Sequence, residues 1–117
     1  MKFIAKRKSA ANYGSPILNA AYEKFFNGQH MTYEEFVLML STNDELWFMY
    51  NDLEYFIEHT GPDLVSMCAT RIDDPNDSPV INEPFVSVID LLDNFRINGK
   101  RIRDVWENVS FTNHRIR

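Results

Sequence analysis

The residue types that most often carry out acid–base or metal chemistry are scattered along this sequence. Its three histidines, His30, His59 and His114, stand far apart, and none has a cysteine or a second histidine at metal-ligand spacing. His59 ends an apolar segment beside Glu58, but neighbouring residues of a strand point to opposite faces. We therefore interpret the histidines as surface or interface residues without a catalytic role.

Two other candidates for chemistry have structural explanations. Cys68 lies between Met67 and Ala69, where a cysteine behaves as a small hydrophobic residue. The segment "DDPND" lacks the alternating oxygen ligands and the turn glycine of a calcium-binding loop. No phosphate-binding glycine loop and no G-x-S-x-G hydrolase motif occurs in the sequence. The sequence therefore predicts no enzyme activity, no cofactor and no metal site.

Size and composition indicate one globular domain. With 117 residues, of which 44% are hydrophobic and 14% aromatic, the chain can bury a core without a metal or a disulfide. Its single cysteine favours a reducing compartment, and no apolar stretch approaches the roughly 18 residues of a membrane span. We expect a cytoplasmic protein with one domain over residues 1–117, a basic arm at residues 1–14 and no membrane contact.

Helical signals occur at both ends of the chain. Ser15 predicts a helix start and Gly28 the end of that helix, while Thr32 and Glu35 form a capping-box pattern that starts a second one. Apolar residues at helical spacing predict two more helices, in "FVSVIDLLDNF" and "GKRIRDVWENV". The last has a buried side that includes Trp106 and a charged side that mixes cations with acids, which favours a solvated amphipathic helix over a nucleic-acid contact.

A sheet is predicted between these pairs of helices. The segment "ELWFMYNDLEYFIEH" alternates as two strands, 45–50 and 53–59, around a tight turn at 51–52. A third strand is predicted at 64–72, and residues 73–84, with three prolines and four acids, are predicted to form an acidic loop. The predicted fold class is α+β, with a small antiparallel three-stranded sheet packed against N-terminal and C-terminal helices.

Charge is unevenly distributed along the sequence, whose net charge is −5. Between Glu23 and Asp93 there are fifteen acids and only two cations, Lys24 and Arg71, whereas the first eight residues carry four cations and no acid. The segment from Arg96 onward carries six cations and two acids. Either the basic ends fold back on the acidic middle, which would serve solubility, or the middle presents a negative surface to a basic partner.

The segments "MTYEEFVLMLSTNDELWFMYNDLEYFIEHT" and "FVSVIDLLDNFRINGKRIRDVWENVSF" together resemble small bacterial proteins that pair a short helix with an aromatic hairpin. Those chains end in a helix, an F-x-I-x-G-K link and an I-x-x-x-W helix, and some are similar to immunity proteins of bacterial toxin systems. The resemblance covers residues 31–60 and 85–111 and includes no catalytic motif. The residues that match the link and the last helix are Phe95, Ile97, Gly99, Lys100, Ile102 and Trp106.

The charge pattern and this resemblance lead to a functional expectation. We expect a non-enzymatic, acidic protein-binding module: an immunity-type or antitoxin-type inhibitor of a cognate basic protein, such as a toxin nuclease domain. An aromatic anchor among carboxylates suits such a contact. The expected partner-binding residues are Glu45, Trp47, Asp52, Glu54, Glu58, Asp73, Asp74 and Asp77.

Two alternatives belong to other classes of protein. A nucleic-acid-binding accessory protein would use the basic termini, although the negative middle makes nucleic acid the weaker expectation. A small enzyme would use residues that only the fold brings together, with His59 and Glu54 as the pair to check.

Overall fold

Four antiparallel strands in sequential order form the framework of the molecule, and helices precede and follow them in the chain. A computed structural model describes residues 15–42, 45–74, 76 and 78–111, so the predicted basic arm at 1–14 lies outside the described residues. The predicted α+β class is confirmed. In chain order the elements are α1 (Pro16–Phe26), α2 (Tyr33–Leu40), β1 (Leu46–Tyr50), β2 (Leu53–His59), β3 (Val65–Arg71), β4 (Pro79–Phe85), α3 (Val88–Asn94), α4 (Ile102–Val105) and a 3₁₀ turn (Trp106–Asn108).

The first two helices begin where their capping residues predict. The Ser15 hydroxyl accepts a hydrogen bond from the Leu18 amide at 3.1 Å, and Gly28 lies just beyond α1 with a φ of 72°. At α2, the Thr32 hydroxyl accepts from the Glu35 amide at 3.1 Å, while a Glu35 carboxylate oxygen accepts from the Thr32 amide at 2.8 Å. This reciprocal pair is a complete capping box, and both predicted helix starts are confirmed.

Glu35 also joins α2 to α1, because both of its carboxylate oxygens accept from the Lys24 ammonium at 3.1 Å. Burial raises the pKa of Glu35, but the hydrogen bonds from Thr32 and the Lys24 charge outweigh it and hold the pKa below its usual 4.5. The ionised carboxylate therefore stabilises the fold above the unfolded-state value, and this contribution is lost as the pH falls through the lower folded-state pKa.

We expect a Glu35→Gln variant to lose less unfolding free energy than the wild type as the pH falls below about 4.5. The glutamine retains a capping oxygen but carries no titrating group. Urea unfolding between pH 7 and pH 3 measures the difference. Glu34→Gln is the matched control, because Glu34 is an exposed acid of the same helical turn, and its profile should follow the wild type. Parallel profiles for Glu35→Gln and the wild type would contradict the assignment.

The central hairpin follows the prediction closely. β1 and β2 pair with Phe48 opposite Tyr55, and Asn51 takes a positive φ of 54° in the two-residue turn between them. β3 then pairs with β2, so that Met67 lies opposite Ile57. All three predicted strands are confirmed to within one residue at their ends.

Four strands of the sheet lie within the described residues, so the prediction of three was wrong. Pro79–Phe85 pairs antiparallel with β3 and places Ile81 opposite Ala69 and Phe85 opposite Val65. From sequence, residues 79–84 were assigned to the acidic loop and Phe85 to the helix after it. β4 is an edge strand, where a residue whose backbone nitrogen points away from β3 needs no ladder partner. Pro79 and Pro84 are tolerated on that edge, while they would interrupt an interior strand.

The C-terminal helices are shorter than predicted. α3 begins at Val88, with Ser87 as its N-cap, because Phe85 is used by β4. Beyond α3, only four residues of the predicted final helix are α-helical before the 3₁₀ turn. The predicted buried side is nevertheless correct: its members are all buried, namely Ile102, Val105, Trp106 and Val109.

The link before α4 is a tight two-residue turn. Ile97 and Lys100 exchange two backbone hydrogen bonds of 2.8 and 3.0 Å, and Asn98 and Gly99 between them take φ values of 53° and 82°. Both central residues thus lie in the left-handed region that glycine and asparagine adopt most readily.

We expect Gly99→Ala to cost about 1–2 kcal/mol of unfolding free energy, which is the strain of a side chain at positive φ. An added Cβ would have no atom within 4 Å, so steric contact does not contribute. Gly61→Ala is the matched control, since its Cβ would meet Leu64 at 3.4 Å and its φ is not in the left-handed region. Equal stabilities of the two variants in urea unfolding would contradict the turn assignment.

One face of the sheet forms the main core against the helices. The Trp106 indole nitrogen donates to the Met31 carbonyl oxygen at 2.8 Å, which ties the 3₁₀ turn to the segment before α2. Ser110 adds a bridge at the outer edge of β1 through two backbone hydrogen bonds with Met49. The core residues on this face of the sheet include Leu46, Phe48, Tyr55, Ile57, Val65, Met67, Ala69 and Phe85.

Candidate functional site

Two connections meet at one end of the sheet. The amide of Ile72, which follows β3, donates to the carbonyl oxygen of Asp52 in the β1–β2 turn at 3.0 Å. This bond brings the hairpin turn beside the connection that begins with Asp73 and Asp74. We call the three carboxylates Asp52, Asp73 and Asp74 the acidic end. Asp52 and Asp73, which are 21 residues apart in the chain, therefore lie in neighbouring turns of the fold.

Within the acidic end the three carboxylates differ in what they contact. Asp74 is half-buried, and its two oxygens accept from the amides of Asn76 at 2.9 Å and Ser78 at 3.2 Å, so it shapes the connection. Asp52 and Asp73 are exposed. Within the described ranges, no salt bridge neutralises any of the three carboxylates. Asp52 and Asp73 are thus the two carboxylates of this end that are exposed to solvent and form no salt bridge with another described residue.

The other acids expected in the partner contact lie elsewhere. Asp77 is outside the described residues. Because Leu46 pairs with Ile57, Glu45 and Glu58 lie side by side at the opposite end of the hairpin. A strand of five residues places the two ends about 17 Å apart. The expected acids therefore do not form one continuous rim.

Glu54 is the clearest departure from the expected surface. It lies on the second face of the sheet, opposite the main core, and only 5% of its surface is exposed. Strand alternation puts its side chain between those of Met49 and Thr70, at a point where this face is covered. The expectation of an exposed Glu54 was wrong, since alternation predicts the face of a side chain but not what covers that face.

The same second face carries a row of side chains that crosses all four strands. We call it the cross-strand row, and register places its members opposite one another: Trp47, Phe56, Cys68 and Asn82. Trp47 and Phe56 are half-buried, and the Trp47 ring lies 4.6 Å from that of Phe25. The row thus offers aromatic surface next to polar groups.

Cys68 does not have the environment of a nucleophile. Burial and the nearby Glu58 carboxylate raise the pKa of its thiol, whereas a reactive cysteine needs a lowered pKa. Its sulfur donates weakly to the Asn82 side-chain oxygen at 3.7 Å. The thiol therefore remains protonated near neutral pH and acts as a packing group.

The residues considered for chemistry are not brought together. His59 lies on the core face of β2 and Glu54 on the second face, so that pair does not form a site. Among the described residues, no three or more histidine, cysteine or acidic side chains are grouped as a metal site would require. His30, the other histidine among the described residues, lies near aromatic rings. Its ring centroid is 6.1 Å from that of Trp106 and 6.1 Å from that of Phe111.

The cations of the described C-terminal segment are partly engaged within the protein. One Arg96 guanidinium nitrogen donates to the Asp93 carbonyl oxygen at 2.6 Å, and the Arg103 guanidinium lies over the Tyr33 ring at 5.5 Å. Lys100 and Arg101 are exposed. Two cations beside the acid Asp104 make a poor phosphate contact.

No family model, curated protein or solved structure matches this chain. Within the described ranges, no helix combines the length and apolar character needed to cross a bilayer.

A cleft that was not predicted lies near the opposite end of the sheet from the acidic end. It has a volume of about 450 Å³ and lies between α2, the β2–β3 turn and the start of α3. Only the fold brings these three segments together, so sequence periodicity carries no signal for it. The described residues that line it are Val37, Leu40, Ser41, His59, Pro62, Asp63, Ser87, Val88, Ile89 and Leu92.

Proposed function

We propose that this protein is a non-enzymatic binding module that holds a basic protein partner with its acidic end and the adjoining second face of the sheet. In this role it would act as an immunity-type inhibitor that covers a positively charged working surface of a toxin, such as a nuclease domain. The observation that carries the proposal is the Ile72–Asp52 hydrogen bond, because it gathers carboxylates from two separate turns.

Electrostatics supports the first step of such a contact. Asp52 and Asp73 are exposed, and within the described ranges neither forms a salt bridge. Both acids lie in turns with backbone hydrogen bonds, so the fold fixes which end of the sheet carries their charges before the partner arrives. Fixed complementary charge steers encounter and raises association rates from about 10⁵–10⁶ to 10⁸–10⁹ M⁻¹s⁻¹ at low salt.

The cross-strand row supports the second step, which is retention of the partner. Phe56 lies four residues from Asp52 along the same hairpin, about 13 Å away by strand rise. An interface of ordinary size buries about 800 Å² on each partner, so one partner can contact the row and the acidic end on either side of the covered point at Glu54. Aromatic side chains that become fully buried set the dissociation rate, and Trp47 and Phe56 fit that role.

Co-purification followed by reconstitution tests the proposal. The tagged wild type is used to capture partners from its native cell at moderate salt, and the captured protein is then purified and titrated. We expect a basic protein in one-to-one ratio whose affinity falls by about tenfold or more in Asp52→Asn/Asp73→Asn. Asp74 is left unchanged because it holds the connection together.

The matched control is Glu23→Gln/Glu107→Gln, which removes the same charge from exposed positions on α1 and the 3₁₀ turn. This variant should bind almost as well as the wild type. Equal losses in both variants would show that only net charge matters and would contradict a defined surface. The absence of any stoichiometric protein partner would contradict the proposed function itself.

A further inference from the structure

The unpredicted cleft contains a polar group whose hydrogen bonds are unmet. Both ring nitrogens of His59 are buried, and neither has a hydrogen-bond partner among the described residues. Buried polar atoms are almost always paired, because leaving one unpaired costs its full desolvation. A histidine without partners at the wall of an open cleft therefore points to a ligand that supplies one.

The other polar groups of the cleft are already engaged or solvated. The Ser41 hydroxyl donates to the Val37 carbonyl oxygen at 2.9 Å, and the Ser87 hydroxyl accepts from the Asp90 amide at 3.0 Å. The Asp63 carboxylate lies in the exposed part of the lining. His59 is thus the one buried group of the described lining that needs a partner.

The rest of the cleft lining is mostly apolar, and large exposed apolar side chains lie at or next to its rim. Its described lining is mostly aliphatic, and Ile89 is 70% exposed there. Leu64, next to the lining residue Asp63, is 47% exposed. A volume of about 450 Å³ lies within the range of about 300–1,000 Å³ found for small-molecule sites. Burial of this rim by a bound molecule would remove apolar surface from water.

We propose that the cleft binds a small, neutral, largely apolar molecule with a single hydroxyl group, and that this hydroxyl hydrogen-bonds to His59. One unmet polar side chain in an aliphatic lining matches a ligand with one polar group. Because both ring nitrogens are buried, the proposal includes a turn of the imidazole about its Cβ–Cγ bond that brings one of them to the cleft. The site lies at the far end of the sheet from the acidic end and does not depend on the proposed protein partner.

The charge of the lining argues against an anionic ligand. Asp63 is the one charged side chain in the described lining, and no lysine or arginine is present there to pair with a carboxylate or phosphate. A peptide segment is also a poorer occupant, because each of its residues would bring a backbone amide and carbonyl, and a mostly aliphatic lining offers few partners for them. A neutral alcohol brings neither an unpaired charge nor unpaired backbone groups into the cleft.

Titration with 1-octanol, followed by amide and methyl NMR shifts, tests the proposal on the full chain. We expect saturable shifts confined to residues of the cleft. Octanoate, which has the same chain length but a negative charge, should bind at least tenfold more weakly. His59→Phe should bind octanol about five- to tenfold more weakly, because it keeps a ring but loses the hydrogen bond.

Two further variants separate binding from folding. His59→Phe should resist urea unfolding at least as well as the wild type, since a ring without unmet polar atoms replaces the histidine. Ile89→Ala should weaken octanol binding at the rim, while Ile17→Ala, an equally exposed isoleucine on α1, should not. Both variants truncate an exposed isoleucine, but only the Ile89 side chain lines the cleft.

Three results would each overturn the proposal. The first is an absence of saturable shifts with octanol, and the second is equal octanol binding by the wild type and His59→Phe. The third is a response of the cleft to the captured protein partner but not to octanol, which would assign the cleft to the protein contact instead. Failure here leaves the acidic-end proposal standing, because that proposal is tested with variants of Asp52 and Asp73.

Discussion

A Trp106→Ala variant is expected to lose about 3–5 kcal/mol of unfolding free energy, the usual cost of truncating a buried tryptophan. Trp106 is only 5% exposed, and its ring centroid lies 4.5 Å from that of Phe36 and 5.6 Å from those of Tyr33 and Phe111. The residue thus joins α2 and the 3₁₀ turn to Phe111, which follows the Ser110 bridge to β1. A loss of this size is a large share of the roughly 5–15 kcal/mol that stabilise a typical domain.

A second substitution separates the hydrogen bond of Trp106 from its packing. Trp106→Phe keeps an aromatic ring but leaves the Met31 carbonyl oxygen without its donor, for an expected cost of about 1–3 kcal/mol. Trp47→Phe is the matched control, because the Trp47 indole nitrogen has no partner among the described residues and its loss leaves no acceptor unpaired. Urea unfolding measures all three variants. Equal losses for Trp47→Phe and Trp106→Phe would contradict the assigned role of the hydrogen bond.

The parts of the fold that sequence predicts well depend on local contacts. Ser15 and Thr32 mark helix starts because their side chains bond to amides three residues away. Asn51 marks the hairpin because it tolerates positive φ next to a second turn residue. In each case the deciding interaction spans a few residues, so the pattern and its physical cause are both visible in the chain.

The fourth strand was missed because its cause is not local. Pro79, Pro84 and the neighbouring acids lower strand propensity, and on local grounds a loop is the reasonable prediction. What makes Pro79–Phe85 a strand is the free edge of β3, which offers unpaired amides and carbonyls at the right distance. That edge exists only after the hairpin and β3 have formed.

The candidate site likewise has features that the sequence predicts and features that only the fold determines. Alternation along β2 places Glu54, Phe56 and Glu58 together on one face, as expected from sequence. Neither the burial of Glu54 nor the meeting of Asp52 with Asp73 follows from alternation, because both depend on elements distant in the chain. The unmet nitrogens of His59 could not be predicted for the same reason, since the cleft that His59 lines is formed by three separate segments.

Reversing the charge of Asp52 and Asp73 to lysine is expected to slow association with the basic partner about 10- to 100-fold at low salt. The two carboxylates are exposed and face solvent, so their contribution lies in steering the encounter rather than in the buried contact. The dissociation rate should therefore change little. Stopped-flow mixing at increasing salt measures both rates, and the Glu23→Lys/Glu107→Lys variant carries the same charge change at positions away from the acidic end.

The salt dependence of the association rate tests this prediction most directly. Screening acts over about 8 Å at an ionic strength of 0.15 M, so the wild-type association rate should fall steeply as salt is added. The Asp52→Lys/Asp73→Lys variant should start slower and fall much less, until the two rates converge. Trp47→Ala should behave in the opposite way, with faster dissociation and an unchanged salt dependence, because an aromatic contact is not screened. Identical salt slopes for the wild type and the charge-reversed variant would place the steering charge somewhere other than the acidic end.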